Sequence, residues 1–213
     1  MSSRATLLLL ADGRLPAGGH AHSGGLEAAV TSGRVRDAAS LEAFLYGRLA
    51  TAGLVAAAFT AAAADGWDVR ELDAEFDART PSPALRRVSR TQGRALMRVG
   101  RAMWTVPDLG EPHHCVALGV VAAAAGLDPI DAATVAAYGS VSGPASAAVR
   151  LLGLDPYPVQ ALLARLAPAC DDVAVRAAAY RDRRAADLPA ASAPLLDIGA
   201  EDHATWEVRL FAS

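Results

Sequence analysis

Two histidines, a serine and a glutamate fall close together near the start of the sequence. His20, His22, Ser23 and Glu27 lie in ADGRLPAGGHAHSGGLEAA (residues 11–29), which also holds five glycines and Pro16. Three chemistries use such residues. A phosphate cradle needs GxxxxGK followed by Ser or Thr, with the lysine reaching the phosphates. The chain has no lysine, and no predicted strand precedes the loop, so neither a P-loop nor a Rossmann fingerprint is formed. A metal site could use His20 and His22 as a two-imidazole chelate, but a structural site takes four ligands. The adjacent His113 and His114 diverge on a helix, and Cys115 beside them reads as a small core residue. Nucleophilic catalysis has no GxSxG elbow to rest on. His22 and Ser23 are neighbours, a poor arrangement for a base and its nucleophile. The remaining reading is that His22 and Ser23 bond to backbone near a helix start.

A second constellation is basic. Arg90, Arg94 and Arg98 repeat every four residues and Arg101 follows at three, so they share a helix face. Like charges at that spacing cost about 0.2–0.5 kcal/mol per pair in an isolated helix. The acidic run from Asp65 to Asp77 is one candidate for compensation, and a partner protein is the other.

The chain closes on TWEVRLFAS. In an extended segment Trp206, Val208 and Leu210 face one way, and Glu207, Arg209 and Phe211 the other. Such a tail docks on its own domain, or on a partner that orders it.

These residues sit in a chain of 213 residues, long enough for one core and read as a single domain over 1–213. Hydrophobic residues make up 53% but aromatics only 5%, so the apolar content is mostly Ala, Leu and Val, which favours helices. A net charge of -3 argues against nucleic acid, which rewards a basic surface. Cys115 and Cys170 make no disulfide framework. The apolar run near the N-terminus is short for a signal peptide, and the run from Leu49 to Ala64 falls short of a membrane span. The expectation is a cytoplasmic protein with no membrane partner.

Hydrophobic periodicity and breakers predict helices over 4–11, from His22 or Ser23 to Ser32, and from an N-cap at Ser40 through Leu41 to Ala64. An acidic helix ends before Pro81, and another runs from Pro83 to Trp104 with Val88, Ala95, Leu96, Val99 and Met103 on one stripe. A wholly buried helix spans 113–125. Asp128-Pro129 opens one that reaches Leu152 with a kink at Gly143-Pro144. Pro158 opens a helix to Leu166, and Pro168 a last one to about Asp187. Residues 188–213 show no helical period and are expected as an extended tail; residues 1–22 are expected as a flexible N-terminal segment. The fold class is all-α, an orthogonal bundle of eight to nine helices.

The two ends together resemble the F-type urease accessory proteins, UreF. LLLLADGRLPAGGHAHSGGLEAAVTSGRV is similar to that family's N-terminal signature at Asp12, Pro16, Gly18, His22, Ser23, Gly25, Leu26 and Glu27. RLFAS is similar to its C-terminal ending, with His203 at the preceding histidine. RVSRTQGRAL resembles a middle segment, as does AAVRLLGLDPYPVQALL at Arg150, Leu151, Leu154 and Gln160. The resemblance implies an all-helical, non-enzymatic chaperone in nickel insertion, with no catalytic residue and no resident cofactor or metal. It implies a homodimer that binds UreD (UreH), recruits the GTPase UreG and acts on apo-urease. The partner-facing residues would be His22, Ser23, Glu27, His203, Trp206, Arg209, Leu210, Phe211 and Ser213, with Arg90, Arg94 and Arg98 as a further interface. The rival is a protein that holds nickel directly through His20 and His22.

Overall fold

The structure is a computed structural model that describes residues 4–180 and 183–213. It is all-α. The helices are α1 (Arg4–Ala11), α2 (Leu26–Thr31), α3 (Ala38–Arg48), α4 (Leu54–Ala64), α5 (Val69–Ala78), α6 (Pro83–Met103), α7 (His114–Ala124), α8 (Pro129–Leu152), α9 (Pro156–Ala178) and α10 (Pro194–Ala204). A π-helical turn over Leu49–Gly53 joins α3 and α4 into one rod.

The centre is built from α4 and α7, each burying almost every side chain, with α8 and α9 against α4 and α6 against α7. Their side chains are small, so the backbones come close. Gly119 lies on the Thr60 carbonyl and Ala63, where any side chain would overlap, and the Thr60 hydroxyl donates to the Cys115 carbonyl at 3.0 Å. The Ala38–Ala64 rod is long and apolar enough to cross a membrane by length and composition, but 56% of its most apolar window is buried inside the bundle.

Several helix starts lie where their caps dictate. Asp128, Asp155 and Ser82 each accept a backbone N–H of the following turn, and proline stands in the first turn of all three helices. The long rod begins earlier than expected. Asp37, not Ser40, is its N-cap; Ser40 stands three residues on and closes a reciprocal capping box with it.

Three further expectations are corrected. The helices expected on either side of Pro168 are one, α9. Pro168 is exposed and so is Ala164, whose carbonyl loses its helical donor, so water can serve that carbonyl. The expected end near Asp187 is not reached: α9 stops at Ala178, Ala185–Asp187 is a 3-10 turn, and residues 181 and 182 lie outside the described residues. The tail expected as extended over 188–213 contains α10. Its buried positions are Gly199 and His203, while Leu195 and Ile198 face out, so it has no apolar stripe for a periodicity reading to find.

Candidate functional site

The glycine-rich segment and the tail meet. From Gly18 to Gly25 the chain makes a 3-10 turn over Gly19–Ala21 and then two successive left-handed residues, Gly24 and Gly25, before α2. Only glycine adopts that backbone without strain. A side chain at Gly24 would also meet Pro144 Cγ at 2.9 Å, and one at Gly25 would meet Leu196 of α10 at 3.0 Å. The loop is therefore pressed between α8 and α10.

Glu27, in the first turn of α2, is the centre of the junction. His203 Nε2 donates to its Oε2 at 2.9 Å. The Leu210 amide donates to Oε1 at 2.7 Å and the Phe211 amide to Oε2 at 3.0 Å. Burial works to raise the Glu27 pKa, but the His203 hydrogen bond and the two tail amides outweigh it and hold the carboxyl below its ordinary range. An ionised carboxylate only accepts, so His203 carries its proton on Nε2.

Beyond Glu27 the last residues pair with the loop. The Ala212 amide donates to the Ala21 carbonyl at 2.7 Å, and the Ser23 amide and hydroxyl donate to the Ser213 backbone oxygen at 2.6 and 2.8 Å. His22 Nδ1 lies 2.7 Å from the Ser213 hydroxyl. The Ser23 hydroxyl also accepts the Glu27 amide at 3.2 Å, so one side chain starts α2 and binds the tail. Phe211 turns inward and is 3% exposed. The Arg150 guanidinium lies 4.3 Å from its ring centroid, within cation–π range, and donates to the His20 carbonyl at 3.1 Å. Trp206 stacks at a tilt on His203, with centroids 4.8 Å apart.

The expected site residues therefore divide. Ser23, Glu27, His203 and Phe211 are buried and make the junction, with His22, Trp206 and Ser213 half-buried at its edge. Of the two tail readings, docking on its own domain describes this structure. Val208 and Leu210, 88% and 67% exposed, point outward with Arg209. His20 is exposed, and the described residues contain no group of three His, Cys, Asp or Glu placed to hold a metal ion.

The arginine stripe lies elsewhere and is not one surface. Arg90 binds Asp73 and Asp77 of α5, both at 2.9 Å, and the Glu111 carbonyl at 2.9 Å. The acidic run anticipated as compensation is what compensates it. Arg94 pairs with Glu111, and Arg101 reaches Asp108 at 3.4 Å. Arg98 is exposed and has no side-chain partner among the described residues. The same acids hold His113: its amide donates to Asp73 at 2.7 Å and its Nε2 to Asp77 at 3.0 Å. Burial pushes the His113 pKa down against the pull of Asp77, and its Nδ1 is the one buried side-chain nitrogen or oxygen left without a partner among the described residues.

Fold and junction together define an all-helical protein whose two chain ends are tied into one face around a buried carboxylate. The UreF family profile matches residues 35–167. A urease accessory protein UreF of Mycobacterium sp. (strain JLS) is 51% identical with both chains fully covered. Those of Mycolicibacterium vanbaalenii and Mycobacterium tuberculosis H37Rv are 49% and 44% identical, again over the whole of both chains. The chain belongs to the urease accessory protein UreF family, and its family role is that of an accessory in urease maturation.

Proposed function

We propose that this chain is a non-catalytic scaffold for nickel insertion into apo-urease. It binds a UreD (UreH) partner through the face where the glycine loop and the tail meet. From there it recruits or regulates the UreG GTPase, acting as a homodimer within the complex, with nickel as cargo rather than cofactor.

The observation that carries this reading is the junction at Glu27, which brings both family-like chain ends onto one face. Binding to a disordered tail must order it, and a tail already held in place lowers that cost. The buried Ser23, Glu27, His203 and Phe211, with the half-buried His22 and Ser213, shape the face. Trp206, Val208, Arg209 and Leu210 are the side chains offered to a partner. Within the arginine stripe, Arg98 is the member free to meet an acidic surface, with Arg94 beside it, while Arg90 is committed to α5.

Co-purification with a UreD-type partner tests the reading. Full-length chain retains the partner, and a chain lacking residues 204–213 loses it while remaining helical by circular dichroism. Equal retention by both would remove the tail from the interface.

A further inference from the structure

Arg48, the last residue of α3, has no carboxylate partner among the described residues. Its Nε donates to the Ser140 backbone carbonyl at 2.9 Å, and burial lowers its pKa to about 10. The position of that carbonyl explains the contact. In an α-helix the carbonyl of residue 140 takes its hydrogen from the amide of residue 144. Residue 144 is a proline inside α8 and has no such hydrogen. Pro144 is buried and Ser140 half-buried, unlike Pro168 and Ala164, which are both exposed, and here a protein donor takes the place that water can take there. A carbonyl withdrawn from water and left unpaired is costly, and the Arg48 guanidinium supplies the missing donor to this part-buried one.

The proline that creates this problem and the arginine that answers it are also the floor of the glycine loop. The atoms a side chain at Gly24 would meet first are Pro144 Cγ at 2.9 Å, Arg48 Nη2 at 3.2 Å and Arg48 Cζ at 3.3 Å. The next residue back is Ser23, which binds Ser213, and Glu27 follows three residues on. The π-helical turn begins directly after Arg48, and its Gly53 lies against the Ser140 hydroxyl, so the α3–α4 rod and α8 approach closely at the same place.

We infer that Arg48 is a positioning residue for the tail: it stands in for the amide hydrogen that Pro144 lacks, and the Arg48–Pro144 pair seats the loop and the start of α2, which together hold residues 210–213. Among the described residues no hydrogen bond or ion pair joins it to the tail, and it acts through Gly24. The inference concerns the free chain and holds whether or not a UreD-type partner binds.

Amide hydrogen exchange on the full chain tests it, in wild type, Arg48→Met, Pro144→Ala and the double variant. Arg48→Met is expected to speed exchange at Leu210, Phe211 and Ala212 by about tenfold, the size of one lost charge-assisted hydrogen bond. Amides of α4 and α7 keep their wild-type protection. In the Pro144→Ala background residue 144 regains its amide, and the effect of Arg48→Met shrinks to less than about threefold. A merely structural arginine would loosen the core and the tail together and show the same penalty in both backgrounds, and either result overturns the inference. If Arg48→Met fails to fold, the wild-type Arg48 Nε–H decides. Slow exchange, distinct from the exposed Arg98, is expected; exchange as fast as Arg98 overturns the inference.

Discussion

Glu27 and His203 are 176 residues apart in the chain and 2.9 Å apart in space, and the Glu27 carboxylate, which also accepts the Leu210 and Phe211 amides, is nearly inaccessible to water. Three donors converge on two oxygens. Removing the acceptor leaves all three unsatisfied in a buried place, whereas removing one donor leaves the others paired.

Glu27→Gln therefore weakens the junction more than any single change in the tail's outer face. The amide keeps the volume but points two hydrogens toward existing donors. The expected loss is about 2 kcal/mol, read as a lowered denaturation midpoint and as faster exchange of the Leu210 and Phe211 amides. Glu27→Ala goes further, with a loss of about 3–5 kcal/mol for leaving the partners of a buried charge alone.

Within the tail, neighbouring apolar residues behave oppositely. Phe211 is buried under Arg150 and Leu210 is exposed. Phe211→Ala costs about 3 kcal/mol of the tail's local stability, while Leu210→Ala stays within about 0.5 kcal/mol. Partner affinity should show the reverse sensitivity for Leu210. Urea titration of both variants and a binding isotherm for Leu210→Ala check the pair.

Acid loosens the chain in two stages. The pKa of His22, His113 and His114 is lowered by burial, that of His114 to about 4 from an ordinary 6.5. Below 6.5 the unfolded chain takes up protons that the folded chain refuses, so stability falls as pH drops from 6.5 toward 4. Glu27 is depressed below its ordinary 4.5. Its contribution is complete above 4.5 and is lost as pH falls through its lower folded value. Denaturation midpoints from pH 8 to 3 are expected to be flat above 7 and to decline below 6.5. Tail amides should lose protection in the lower stage.

The arginine stripe predicts a contrast between residues one turn or two apart. Arg90→Ala strips Asp73 and Asp77 of their shared cation and disturbs the acids that hold His113, for a loss of about 1–3 kcal/mol. Arg98→Ala removes no polar contact seen among the described residues and stays within about 0.5 kcal/mol. Thermal unfolding of the two variants separates them.

The helices legible in the sequence were those with strong local signals: Asp128-Pro129, the apolar stripe after Pro83, the apolar run of α7. What was not legible depends on distant residues. α10 escaped because it buries a glycine and a histidine against α2, a packing choice that only the far end of the chain reveals. The helix break expected at Pro168 did not occur because the proline faces water. Glu27 and His203 were both recognisable as family-like positions, but nothing in their spacing shows that they meet. Arg48 left no signal at all, since its task is set by a proline 96 positions later that lies on another helix.

On the proposed function, the junction at Glu27 prepares the face a partner binds. Calorimetric titration of a UreD-type partner into wild-type chain and into full-length Glu27→Gln tests it most directly, with exchange at Leu210 and Phe211 measured on the same samples. The expected result is at least about tenfold weaker binding by Glu27→Gln, because the partner must then order a released tail. Unchanged affinity with freely exchanging tail amides would contradict the claim.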